Sequence, residues 1–141
     1  MEYLQTTWNY LRIALVALGG AAGYFWGELD GLLIALLIFT VIDYVTGILC
    51  AIVKKELSSK IGGRGIVKKV LVFLIVGIAH TVDAHLIGYG STMRTVTIIF
   101  YMCNEGLSVL ENSCRIGLPM PQKLKNILLQ LRGDKSNDNG E

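Results

Sequence analysis

Charge is scarce in this sequence. Asp, Glu, Lys and Arg together make up 17% of its 141 residues, against about 25% in soluble domains. Bases exceed acids by only 13 to 11. A surplus that small, confined to particular loops, excludes a nucleic-acid binder. Cysteine occurs three times, at Cys50, Cys103 and Cys114. An odd number without close ligand spacing indicates neither a disulfide framework nor a zinc site. The sequence also contains no HExxH, no GxSxG and no Gly-rich phosphate loop. What it has in excess is apolar surface: 52% hydrophobic residues and 16 glycines. A single soluble domain of this length buries only about two-thirds of the surface its unfolded chain exposes, which is too little to hide so much. The same excess excludes intrinsic disorder. An all-α integral membrane protein of one domain follows.

The clearest span is Gly31–Val53, GLLIALLIFTVIDYVTGILCAIV, 23 residues with the single charge Asp43. As a helix it reaches about 35 Å, enough for a hydrocarbon core of about 30 Å. Val70–Tyr89 is a second, wholly apolar in its first ten residues and carrying His80, Asp83 and His85 in its second half. Leu11–Trp26 is shorter, framed by Trp8 and Tyr10 at one end and by Tyr24, Phe25 and Trp26 at the other. Aromatic rings prefer the two headgroup levels, so they frame an uncleaved spanning helix. Thr95–Leu110, with Asn104 and Glu105 inside it, is the fourth candidate and either spans or lies at the surface.

Loop charge sets the arrangement. Lys54, Lys55, Lys60, Arg64, Lys68 and Lys69 crowd the connection between the second and third spans, against the lone acid Glu56. The GELDG turn between the first two spans has two acids and no base, and the bases return after residue 111. Basic loops stay cytoplasmic, so four spans with both termini inside is the predicted topology, in a bacterial cytoplasmic membrane. After the breaker GLPMP, residues 121–132 form an amphipathic helix. Leu124, Ile127, Leu128 and Leu131 share its apolar face, and Lys123, Lys125 and Arg132 lie around the polar side. Such a helix rests on an anionic leaflet or packs on its own protein. The sequence leaves both open. Residues 133–141 are expected to be a disordered polar tail.

Gly19, Gly23 and Gly27 recur every four residues, and Gly47 and Ala51 repeat the small-xxx-small pattern. Missing side chains let backbones approach, which is how helices associate in lipid, so these are the candidate helix-packing residues. Ionisable groups at bilayer depth cost at least a few kcal/mol and must face protein, water or each other. Asp43, His80, Asp83, Asn104 and Glu105 are the candidate intramembrane polar residues, with Asn104, Ser108 and Glu111 expected as one stripe. They line a lumen or tie helices together by hydrogen bonds; the sequence supports either.

Other function classes fare worse. A membrane metallohydrolase could use His80 and Asp83, but His85 would point about 140° from His80. No nucleophile–base pair accompanies them. A secondary carrier normally shows inverted repeats, and none is visible. A small oligomeric channel or carrier of defined pore size, selective through Asp43 and Glu105, is the second reading.

The run Asp43–Asp83 combines D-Y-x-T-G, a K-K pair before the third span and A-H-x-x-D. The run Phe100–Leu131 adds N-E-G-x-S-x-L-E-N and G-L-P-x-P, in that order. This combination resembles the toxin-secretion/phage-lysis holin family of Gram-positive phages and prophages, over roughly residues 30–132. Cys50 stands where that family often has Ala. The resemblance implies a protein that needs no cofactor or catalytic residue. It implies homo-oligomers in the host membrane, forming lesions through which an endolysin, or a large toxin, leaves the cytoplasm.

Overall fold

The apolar run Gly31–Val53 is one uninterrupted helix in the computed structural model of the chain, which describes residues 2–132 without the side chains of Glu2, Lys60, Ile61 and Arg132. The expected tail 133–141 and the side chain of Lys60 lie outside the described residues. Five α-helices follow in order: α1 (Glu2–Trp26), α2 (Gly31–Val53), α3 (Ser59–Val82), α4 (Thr92–Arg115) and α5 (Gln122–Arg132), with a π-helical turn at Asp83–Ile87 closing α3. The described residues contain no strand.

Local chemistry sets the boundaries. Asp30 caps α2, its Oδ1 accepting the Leu33 N–H at 2.9 Å, which satisfies one of the donors a helix leaves free at its first turn. Gly88 ends the π turn with φ +79, a left-handed conformation that favours glycine, and its N–H returns to Asp83 O. Pro121 offers its carbonyl to Lys125 N and so starts α5 without needing the donor it lacks.

The helices α2, α3 and α4 form the bundle. Leu33 and Leu36 of α2, Val72 and Val76 of α3 and Ile98 of α4 make its core. Among the described residues, two stretches are long and apolar enough to cross a membrane: Gly31–Val53, with mean hydropathy 2.4, and Gly62–Ile87, with 2.1. Only 17% and 28% of their most apolar 18-residue windows is buried inside the protein. The outward faces carry Ile34, Ile38, Val45, Leu71, Ile75 and Ile78. Apolar faces this large need lipid or partner helices. α4 carries Arg94, Glu105 and Glu111 and does not qualify by the same measure, nor does α1.

Two expectations need adjustment. The third helix begins at Ser59, not Val70, so the basic stretch Lys60–Lys69 is the first part of α3 and not a loop. The first helix starts at Glu2 and, among the described residues, meets the rest of the chain only near its end, where Phe25 lies over Gly77 and Trp26 Nε1 donates to Phe73 O at 2.8 Å. Residues Tyr3 to Ala21 are exposed along their whole length.

Candidate functional site

Three helices bring one charged side chain each to a common point. Lys69 of α3 donates to Asp43 Oδ2 of α2 at 2.7 Å and, by a still shorter bond, to Glu105 Oε2 of α4. All three side chains are at most 15% exposed. Two carboxylates against one ammonium leave a formal charge of −1 in a place where unpaired charge is costly. Asn112 offsets part of it, its Nδ2 donating to Asp43 Oδ1 at 3.2 Å. Asp43 and Glu105 were expected to face protein, water or each other, and Lys69 stands between them.

Helical spacing explains the meeting. On α3, Lys69 shares a stripe with Val72, Val76, Ala79 and Asp83, all four buried. On α4, Glu105, Ser108 and Asn112 recur at i, i+3, i+7 toward α2. A cleft of about 260 Å³ opens beside the ion cluster toward the basic end, lined by Asp43, Gly47, Ala51, Lys69, Ser108 and Asn112, with Arg115 at its rim. Gly47 matters there because the Asn112 amide lies 3.6 Å from where its β-carbon would stand. Small side chains at 47 and 51 therefore make room for polar groups as well as for helices.

A second polar centre closes the opposite end. The buried Arg94 guanidinium donates to Trp26 O at 2.8 Å, to Glu28 O at 2.8 Å and to Asp30 Oδ2 at 2.6 Å. It holds the α1–α2 turn to the start of α4 with the bidentate reach that arginine has and lysine lacks. Asp83 performs the capping that Ser91 does not, accepting from Met93 N at 3.0 Å and Arg94 N at 2.8 Å. Asp30 belongs to the turn, outside the spanning stretches, and the bonded Arg94 guanidinium holds its carboxyl below the usual range, against the opposing effect of burial.

Gly19 and Gly23 lie on α1 with nothing within 4 Å of an added β-carbon. Gly27 does not continue their row: it follows the end of α1 at φ +77, with His80 and Arg94 packed against it. His80 is half-buried beside Gly27, and His85 meets Tyr24 instead of His80, with ring centroids 6.1 Å apart. Asn104 is half-buried, and Glu111 is exposed, so the stripe expected through Asn104, Ser108 and Glu111 is rotated to Glu105, Ser108 and Asn112. Lys54 caps α2, with its N–H on Cys50 O, while Lys55, Arg64 and Lys68 are exposed. Lys69, assigned to the orienting cluster, is instead the counter-ion of the buried carboxylates. Its spacing from Val72 and Val76 was the available signal. Arg94 is not among the candidate residues of the sequence and was missed; its bonds reach residues 64 to 68 positions away.

The chain is similar in sequence to several known proteins. A protein of Bacillus phage phi105 described as a probable holin is 34% identical over 114 residues, covering 81% of this chain and 83% of its own. An uncharacterized protein of Listeria innocua is 42% identical over 119 residues, 84% of each chain. An uncharacterized 14.9 kDa protein of Clostridium perfringens, from the nagH 3′ region, is 42% identical over 128 residues, 90% of this chain and 96% of its own. No solved structure matches the chain. The model of the bacteriophage holin family matches residues 20–133. This covers the ion cluster, the Arg94 centre and α5, and the chain therefore belongs to the bacteriophage holin family, whose members are non-enzymatic, pore-forming membrane proteins.

Proposed function

We propose that this holin homo-oligomerises in the bacterial cytoplasmic membrane and opens lesions that release an endolysin, or in a toxin-linked setting a large toxin, and so triggers lysis. The observation that carries the reading is the ion cluster of Asp43, Lys69 and Glu105. It ties three helices at one point without any catalytic arrangement, and it can be exchanged for water when the helices separate. Among the described residues, no side chain or other helix comes within 4 Å of a β-carbon added at Gly19 or Gly23, which suits contacts with a second copy. Loop charge supports four spans with both termini in the cytoplasm, α1 completing its packing in the assembled form. The exposed Lys54, Lys55, Arg64 and Lys68 then fix the orientation, and Lys60 belongs to the same basic stretch.

Inducible expression with and without a cytoplasmic endolysin lacking a signal sequence tests the proposal, with optical density and membrane potential followed together. The expected result is abrupt collapse of the potential in both cultures and rapid lysis only where the endolysin is present. Graded depolarisation with the endolysin retained would overturn it in favour of a narrow ion channel or carrier.

A further inference from the structure

α5 does not lie flat beyond the end of the bundle. Leu124 and Leu128 line a flank shared with Phe39 and Ile42 of α2 and with Gly106 and Val109 of α4. The contact is close at Gly106, where an added β-carbon would stand 3.3 Å from Leu128 Cδ1 and 3.2 Å from the Phe39 ring. Phe39 is 14 residues from Val53, the end of α2 at the basic loop. At 1.5 Å per residue that is about 21 Å, inside a helix of about 35 Å. The second half of α5 therefore lies beside the middle of a helix long enough to span a membrane.

With Leu128 against the bundle, the 100° step of a helix sends Gln122, Lys123, Asn126 and Gln130 to the opposite side. All four are exposed. The side of α5 opposite Leu128 is a polar strip, flanked by the exposed Ile127 and Leu131, at a depth where each unsatisfied amide in hydrocarbon costs several kcal/mol. By contrast, the outward faces of α2 and α3 at this depth are apolar. The bundle thus has one flank unsuited to lipid.

We propose that this α5 flank, carrying Asn126 and Gln130, is the surface that faces water in the assembled lesion. The inference rests on the lesion-forming reading and names which side of each copy lines it. Water satisfies both amides and the Lys123 ammonium. A symmetric contact with the same face of a second copy would set Lys123 toward Lys123, in a helix that contains no acid.

Two measurements in the full-length chain test it, with the half-buried Cys114 changed to Ser and the buried Cys50 and Cys103 retained. First, the pairs Gly106→Cys with Leu128→Cys, and Val109→Cys with Leu124→Cys, are treated in membranes with a short bis-maleimide. Bridging of either pair is expected; failure of both overturns the proposal, because α5 then lies elsewhere. Second, in bridged protein after lysis onset, Asn126→Cys and Gln130→Cys are reacted with a membrane-impermeant maleimide. They are expected to react at least tenfold faster than Ile78→Cys on the lipid-facing side of α3. Bridged protein in which all three react at the same slow rate overturns it, since the flank then faces lipid. Lysis by the wild-type chain is scored separately, so a failed lesion reading is not mistaken for a misplaced flank.

Discussion

Lys69 Nζ stands 2.7 Å from Asp43 Oδ2, joining α3 to α2 across 26 positions of sequence, and it also bonds Glu105 of α4. Removing the cation leaves two buried carboxylates facing each other; removing one carboxylate leaves a one-to-one pair. Lys69→Met is therefore expected to destabilise the bundle by about 3–5 kcal/mol, and Glu105→Gln by markedly less. Thermal unfolding in detergent micelles checks the order. The triple variant Asp43→Asn, Lys69→Met, Glu105→Gln, which has no charge to leave unpaired, should recover most of the loss. Equal midpoints for Lys69→Met and Glu105→Gln would show that Lys69 is not the centre of the cluster.

Arg94 makes its bonds with a planar fork, so lysine cannot replace it. Arg94→Lys retains the charge but loses the simultaneous reach to Trp26 O, Glu28 O and Asp30. The α1–α2 turn should loosen, and exchange of the Leu33 and Arg94 backbone amides should quicken by at least tenfold. Exchange at Cys50, near the other end of α2, should stay at the wild-type rate.

The turn also gives a pH dependence with a definite sign. Asp30 has its folded pKa depressed, chiefly by the Arg94 bond. Its contribution is thus complete above the unfolded value of about 3.9 and is lost as pH falls through the lower folded value. In a Trp8→Phe background, the fluorescence of Trp26 should hold steady as pH falls to about 4 and shift only below it. Asp30→Asn should remove that acid transition while leaving the neutral-pH spectrum near that of its parent. The effect is modest, because the Asp30 side chain is 37% exposed and solvent screens the pair.

How far these centres were legible differs residue by residue. The apolar content of Gly31–Val53 specified α2 to the residue, because a long run with a single charge has few alternatives. Asp43 and Glu105 stood out as charges in apolar surroundings, and partners had to exist for them. The partner itself was hidden. Lys69 sits among five other bases, Lys54, Lys55, Lys60, Arg64 and Lys68, and only its register with Val72 and Val76 separates it from them. Arg94 was illegible for a different reason: two of its acceptors are the backbone carbonyls of Trp26 and Glu28, which leave no mark in the residue types around it. The rotation from Glu111 to Asn112 is one residue, about 100° of helix.

Glycine substitutions separate contacts within one chain from contacts between copies. The ring of Phe25 occupies the position that a β-carbon at residue 77 would take, so Gly77→Ala must displace it. The Trp26–Phe73 bond should then weaken, lowering the stability of the isolated chain by about 1–3 kcal/mol. Gly23 offers the opposite case. Nothing lies within 4 Å of its added β-carbon, so Gly23→Leu should leave the thermal midpoint of the monomer in detergent unchanged to within about 0.5 kcal/mol. If α1 packs against a neighbour in the membrane, the same leucine blocks the close approach of backbones. Oligomers trapped by cross-linking should diminish, and lysis should be abolished or shifted in time. A Gly23→Leu variant with wild-type oligomers and a wild-type lysis schedule would remove this face of α1 from the assembly.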